Sequence, residues 1–277
     1  MARVETTALT KDTTLCISLA ARPSNVGTRF HNHLYAQLGL DFVYKAFTTS
    51  DLPAAIGGIR ALGIRGCGVS MPFKEDVIAL VDSMDASALA ISSVNTIVNT
   101  DGHLRAYNTD YTAVATLLRE HEVPADSPFL VLGSGGMARA VVAALRDAGF
   151  AEGAVVARNE ATGRSLAEEY GFTWRPEVGE PGAALIVNAT PVGMAGGPAA
   201  DALPVPVEVV DCATTVFDMV AMPAETPLVR RARERDVPVI TGTQVQALQA
   251  VEQFVLYTGV RPTEAQFAEA AAFSRES

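Results

Sequence analysis

Cysteine is scarce in this sequence. Cys16, Cys67 and Cys212 are the three it has in 277 residues. They are too few and too scattered for a disulfide framework or a zinc pattern, so they read as small, mostly buried hydrophobes in a reducing compartment. Positive charge is short as well: 21 Lys and Arg against 31 Asp and Glu leave a net charge of -10. That balance argues against a general nucleic-acid surface, and it requires any site for an anionic ligand to be built locally. Long apolar runs are missing too. No segment reaches the length of a membrane span, and MARVETTALTKDTT at residues 1–14 has neither an apolar h-region nor a small-residue cleavage pattern. Neither export nor a membrane partner is expected, and the cytoplasm is the default location.

What is present is an apolar share of 49% with 19% charged residues, the balance of a folding chain long enough for two domains. Strand-length apolar runs alternate with helix-like stretches: TLCISLA, TRFHNHLYAQLG, FVYKAFTT, LPAAIGGIRALG, GCGVSMP. This alternation predicts βαβ units and a mostly parallel sheet. SVNTIVNTDGHLRAYN predicts a hairpin turning at Asp101-Gly102, and TDYTAVATLLREH a helix leading to the polar junction VPADSP. A second series follows: SPFLVLG, GGMARAVVAALRDAG, GAVVARN, ATGRSLAEEYG, AALIVNAT, VEVVDCAT, TPLVRRARERD and VPVITG, alternating strand and helix. The last helices, around TQVQALQAVEQFVLY and PTEAQFAEAAAFSR, have no place in a sheet already complete and are expected to return to the first domain. The fold class is therefore α/β with two domains: residues 1–110 completed by 243–277 as a substrate and catalytic domain, and 111–242 as a doubly wound, Rossmann-type domain.

LVLGSGGMARAVV runs from a strand through a glycine turn into a helix, with Gly133, Gly135 and Ala138 in the G-x-G-x-x-G/A pattern. Only glycine permits the sharp turn and the close approach of backbone N–H groups to a pyrophosphate seated on a helix N-terminus. The next strand ends in VVARNE, so Arg158 and Asn159 stand where an NAD-selective site offers a carboxylate to the ribose. A guanidinium there can pair with a 2′-phosphate, which favours NADP, although Glu160 follows one residue on and Arg158 also reads as a solvated strand-end charge.

Other residues read plainly by themselves. Lys74 in VSMPFKED is in isolation a solvated surface lysine with Glu75 and Asp76 beside it, and Asp110 a helix N-terminal acid favoured by the macrodipole. His31 and His33 point to different faces of a helix and cannot share an ion, so no metal site is expected. Trp174 reads as a packing residue at the edge of the nucleotide domain, and RRARERD as a solvated helix face.

Taken together, SMPFK at 70–74, SVNT at 93–96, NTD at 108–110, GSGGMAR at 133–139, NAT at 188–190, DMVAMPAETP from Asp218, and Gly242 with Gln249 have the order and spacing of one family. Over almost its entire length the sequence resembles the shikimate dehydrogenases, and SLAARPSNVGTRFHN resembles the divergent group of shikimate dehydrogenase-like proteins. The resemblance implies a cleft enzyme interconverting a cyclic hydroxy acid and its ketone with NADP, as a monomer or homodimer. Lys74 would be the catalytic lysine and Asp110 its partner. Ser70, Asn95 and Gln249 would bind ring hydroxyls, while Gly133, Ser134, Gly135, Gly136, Met137, Arg158, Asn159, Thr190, Met219 and Gly242 would hold the coenzyme, Met219 and Gly242 on its nicotinamide side.

The sequence also departs from the family pattern. Asn25 and Gly27 replace the Ser-x-Ser pair that binds the substrate carboxylate, Ala221 replaces a tyrosine, and Tyr111 a glycine. Arg22 and Asn25 could form a different anion clamp, since a guanidinium offers a bidentate fork. Two rivals stay open: a dehydrogenase for quinate or an amino analogue, and an NADP-binding sensor with little turnover.

Overall fold

A computed structural model describes residues 9–275. The stretch read for an export signal begins outside the described residues, and the segment 243–277 ends outside them. The chain forms two compact units, one made of the residues up to Thr109 and those from Gln249 onward, the other of Asp110–Leu248.

The first unit is built on β1 (Thr14–Leu19), α1 (Asn25–Gln37), β2 (Phe42–Phe47), α2 (Leu52–Ala61), β3 (Gly66–Val69), a 3-10 turn at Asp76–Leu80, β4 (Ser83–Met84), α3 (Ala86–Leu89), β5 (Thr96–Thr100) and β6 (His103–Tyr107). Its sheet has the order β2-β1-β3-β5-β6-β4. β1 runs parallel to β2 and β3, whereas β5 is antiparallel to β3 and β6. The hairpin expected at Asp101-Gly102 joins β5 to β6, with both residues at positive φ (51° and 86°), as a two-residue turn matched to strand twist requires. α2 starts where Asp51 accepts a hydrogen bond from the Ala54 N–H at 2.9 Å with proline in the first turn, and it buries Leu52, Ile56 and Ile59. Because strand residues alternate faces, Ile17 and Leu19 join an aliphatic cluster with α2, while Cys16 and Tyr44 join an aromatic one with Phe30, Tyr35, Phe254 and Tyr257.

The second unit runs from α4 (Thr109–Glu120, whose first residue belongs to the first unit) through β7 (Phe129–Leu132), α5 (Gly136–Asp147), β8 (Gly153–Val156), α6 (Glu160–Tyr170), β9 (Thr173–Arg175), β10 (Leu185–Asn188), α7 (Val207–Asp211), β11 (Thr215–Asp218), α8 (Pro227–Glu234) and β12 (Val239–Thr241). All six strands are parallel, in the order β12-β11-β10-β7-β8-β9. This is the doubly wound arrangement, with its switch point between β7 and β10. Strands β7, β10 and β11 are buried along their whole length, as a sheet covered on both faces demands. α9 (Gly242–Thr258) then carries the chain back, and α10 (Glu264–Arg275) packs on α1 in the first unit.

Three expectations need correction. VEVVDCAT is not a strand: Val207–Asp211 is a short helix that buries Val209 and Val210, and the strand is the following Thr215–Asp218. Pro206 sits at its N-cap, and the valine-rich run follows tertiary burial rather than its β propensity. Cys212, just past that helix, is exposed, unlike Cys16 and Cys67. A short edge strand, β9, adds to the expected set. It carries Trp174, whose indole N–H donates to Ala157 O at 3.2 Å beneath Arg164, 4.7 Å above its ring.

Candidate functional site: a glycine cradle and a polar loop cluster

In the second unit, β7 ends at the switch point and Gly133 turns the chain with φ +108°. A side chain at Gly133 would come within 3.1 Å of Ala189 O, so the close approach of the β7 and β10 ends requires glycine. Gly135 and Gly136 face open space, with nothing within 4 Å of an added Cβ. Gly135 is the N-cap of α5, and no side chain caps that helix or puts an acid in its first turn. The cradle thus presents backbone N–H groups and a bare helix terminus, which suits the pyrophosphate of a dinucleotide. Ser134 Oγ lies 2.8 Å from Thr162 Oγ1, Met137 is half-buried beside the turn, and Ala138 is fully buried.

At the end of β8, Arg158 is exposed with no side-chain partner among the described residues, and Asn159 caps α6 by accepting from Thr162 N at 3.2 Å. Glu160 faces Arg164 at 2.7 Å. Past β10, Thr190 donates to Asn188 Oδ1 at 2.6 Å, and Met219 N donates to Asn188 O at 2.9 Å. Gly242 opens α9 against this corner. An added Cβ there would lie 2.4 Å from Val220 C and 2.5 Å from Met219 O, so no other residue fits. Ala221 is half-buried, and Tyr111, on α4, donates to Asp147 Oδ2 at 2.6 Å.

In the first unit, three loops meet at the C-terminal ends of β1 and β3. Ala21 N donates to Met71 O at 3.1 Å, Ser70 N to Leu19 O at 2.9 Å and Val94 N to Lys74 O at 2.9 Å. These backbone bonds hold Arg22, Ser70, Lys74 and Asn95 in one neighbourhood. Arg22, Asn25 and Ser70 are exposed, Lys74 and Gln249 half-buried. Asn95 is buried, and its carboxamide is committed to the protein. Its Oδ1 accepts from Thr96 Oγ1 and Thr109 N at 2.9 Å, and its Nδ2 donates to Thr109 Oγ1 at 3.0 Å. Gly27 is not sterically forced: an added Cβ would sit at an ordinary 3.7 Å from Tyr44. Asp110, the residue after Thr109, belongs to the second unit.

Two networks escape sequence reasoning. In the first unit, Gln253 donates to Thr96 Oγ1 at 3.0 Å, and its Oε1 lies 3.2 Å from His31 Nε2. The His31 ring stacks on Tyr44 with centroids 4.3 Å apart, and desolvation pushes its pKa down to about 4. In the second, buried Asn188, Asp218 and Thr226 tie β10, β11 and the start of α8 together. All three stand in motifs the sequence displays, Asn188 in NAT and Asp218 and Thr226 in DMVAMPAETP, but the motifs give no sign of their pairing. Among the described residues no group of His, Cys, Asp and Glu could hold a metal ion.

A glycine cradle at the switch point of a doubly wound sheet defines a dinucleotide-binding α/β protein. Comparison with known proteins narrows that class. Residues 25–97 match the shikimate dehydrogenase substrate binding domain. The shikimate dehydrogenase-like protein of Haemophilus influenzae is 52% identical over 267 residues, 96% of this chain and 98% of that protein. The shikimate dehydrogenase (NADP(+)) of Rubrobacter xylanophilus is 38% identical over 252 residues, 86% and 88% of the two chains. The crystal structure of Thermus thermophilus shikimate 5-dehydrogenase in complex with NADP(H) and shikimate is 32% identical, with a TM-score of 0.81 over 94% of this chain and 99% of that one. The chain belongs to the shikimate dehydrogenase family, and it is an oxidoreductase. No helix among the described residues is long and apolar enough to cross a membrane.

Proposed function

We propose that this chain interconverts a cyclic hydroxy acid and its ketone with NADP, in the manner of shikimate and 3-dehydroshikimate, as a cytoplasmic monomer or homodimer. The observation that carries the reading is the cradle of Gly133, Gly135 and Gly136, three positions without side chains, continuous with an uncapped helix terminus, in a chain that also presents a half-buried lysine on a fixed loop. Residues 111–242 are the coenzyme domain; residues 1–110 with 243–277 are the substrate domain.

The coenzyme, when bound, supplies or accepts the hydride. Gly133, Ser134, Gly135, Gly136 and Met137 hold its pyrophosphate, Arg158 and Asn159 its 2′-phosphate end, and Thr190, Met219 and Gly242 its nicotinamide end. Lys74 acts on the substrate oxygen. A carbonyl gaining hydride becomes an alkoxide, and an ammonium both stabilises that charge and delivers the proton; in the reverse direction the amine takes it back. Asp110 is the second member of the catalytic pair. Ser70, Asn95 and Gln249 orient the ring hydroxyls, Asn95 through what remains of its amide capacity, and Arg22 with Asn25 receives the carboxylate.

The test is steady-state reduction of NADP⁺ and NAD⁺ with shikimate and with quinate, comparing the wild type with Lys74→Ala. Turnover with shikimate and NADP⁺ should fall about 10²- to 10⁴-fold in the variant while NADP affinity holds. Turnover that survives the substitution would remove Lys74 from the mechanism. Tight NADP binding with neither acid consumed would overturn the substrate assignment.

A further inference from the structure

Asp218, the last residue of β11, has no solvent exposure. Its Oδ1 accepts from Asn188 Nδ2 at 3.0 Å and from Val220 N at 3.1 Å, and its Oδ2 from Thr226 Oγ1 at 2.5 Å. All three donors are neutral, and no Lys, Arg or His pairs with this carboxylate among the described residues. Burial raises its pKa, and the three hydrogen bonds oppose the rise. Nothing in the proton transfer assigned to Lys74 and Asp110 uses it. A carboxylate held in the interior without a counter-cation is costly, and two apolar residues of similar volume would tie the strands together without that cost.

Its place in the sheet suggests where a counter-cation comes from. Asp218 is in register with Asn188 on one side and Thr241 on the other, and it directly precedes Met219 at the C-terminal edge. A dinucleotide lies across the switch point of such a sheet. With the glycine turn after β7 and Arg158 after β8 assigned to its phosphates, the nicotinamide half would fall toward β10, β11 and β12. The oxidised nicotinamide ring carries a positive charge and the reduced ring carries none.

We propose that the Asp218 carboxylate is the built-in counter-charge of the nicotinamide ring, tightening the grip of this chain on the oxidised coenzyme relative to the reduced one. The inference rests on the coenzyme reading given above. It predicts a ratio rather than an affinity: a residue that merely braced β10 and β11 would, when replaced, weaken both coenzyme forms together, whereas loss of a charge weakens only the cationic form.

Dissociation constants for NADP⁺ and NADPH, measured by calorimetry and fluorescence titration on the wild type and Asp218→Asn, decide the matter. The ratio Kd(NADP⁺)/Kd(NADPH) should rise at least roughly tenfold in the variant, the scale of one unit charge acting at about 12 Å through an effective dielectric near 20, and more at shorter range. Adenosine 2′,5′-bisphosphate, which lacks the nicotinamide, should bind both proteins equally. Where Asp218→Asn does not fold, the double variant Asp218→Leu/Thr226→Val removes the carboxylate together with the hydroxyl it would orphan, and the same rise is expected. Parallel loss of both forms, or an unchanged ratio, overturns the proposal while leaving the coenzyme reading intact. A wild type that binds neither form overturns both.

Discussion

The two units prepare the binding faces proposed for them by opposite means. In the nucleotide unit the face is backbone: Gly133, Gly135 and Gly136 expose amide groups, and Gly242 lets α9 start against the end of β11. In the other unit the face is side chain, and the relay His31, Gln253, Thr96, Asn95, Thr109 fixes the β5 strand and the start of α4. Their cores differ in the same sense. The nucleotide sheet carries an aliphatic cluster that includes Leu130, Ile186 and Val216, and one face of the first sheet, opposite its own aliphatic cluster, packs Tyr35, Tyr44, Phe254 and Tyr257 around a buried histidine. A backbone solution depends on the absence of atoms, so it fails through steric collision. A side-chain solution depends on pairing, so it fails through protonation or an orphaned partner.

The largest effect on stability should come from breaking the backbone solution. Gly242→Ala would drive a Cβ to 2.4 Å from Val220 C and 2.5 Å from Met219 O and Val220 O, atoms that cannot step aside without moving β11. The expected cost is roughly 3 kcal/mol or more. Gly135→Ala is the contrast within the same unit, because φ is -85° there and the space is open. It should change stability by less than about 1 kcal/mol yet weaken NADP binding, since the methyl group enters the cradle. Chemical denaturation of both variants with a coenzyme titration checks the pair. Equal destabilisation would dissolve the distinction between a glycine needed for folding and one needed for the ligand.

The side-chain solution should break with acid. His31 has a folded pKa of about 4 against an ordinary 6.5, and its stacked neighbours Tyr44 and Phe254 and its partner Gln253 bring no carboxylate to stabilise a charge. Below pH 6.5 the unfolded chain therefore binds a proton that the folded chain refuses. The stabilisation is complete above that pH, declines as the pH falls toward 4 and levels off below it, amounting to roughly 3 kcal/mol in all. Carboxylates titrate over the same window in any variant, so the difference between wild type and His31→Gln isolates the histidine. The denaturation free energy of His31→Gln should fall less between pH 6.5 and pH 4. Identical slopes would mean that the ring is reached by solvent or protonated in the fold.

This contrast also explains what could be read from the sequence. The doubly wound sheet and its phosphate turn were legible, because strand, glycine spacing and helix are local patterns, and a steric requirement for glycine leaves its mark at one position. The hairpin at Asp101-Gly102 was legible for the same reason. The relay through Gln253 was not: its partners His31 and Thr96 lie far away in sequence, and a glutamine in a helix gives no sign of its direction. Asn95 was singled out for a ligand, but the structure commits much of its amide to Thr109. VEVVDCAT misled because a valine-rich pentapeptide fits a buried helix turn as well as a strand. The carboxylate of Asp218 stood inside a recognised motif, yet that its donors among the described residues are neutral becomes visible only when Asn188 and Thr226 are seen beside it.

The smallest expected effect tests whether one exposed side chain sets coenzyme choice. The sequence left Glu160, one residue past Arg158, as a counterweight to the NADP preference. In the fold Glu160 is engaged by Arg164 one helical turn on, at 2.7 Å, while Arg158 is exposed beside the α6 terminus with no side-chain partner among the described residues. A 2′-phosphate arriving there would meet a guanidinium whose charge is not already spent. Because the site is open to water, the gain is that of a screened, charge-assisted contact, about 1–2 kcal/mol. Arg158→Ala should therefore weaken NADP binding by roughly tenfold and leave NAD nearly unchanged, with the NADP effect shrinking as salt is raised. A variant that kept its full preference for NADP would move the discrimination to the Ser134 and Thr162 hydroxyls, which lie 2.8 Å apart.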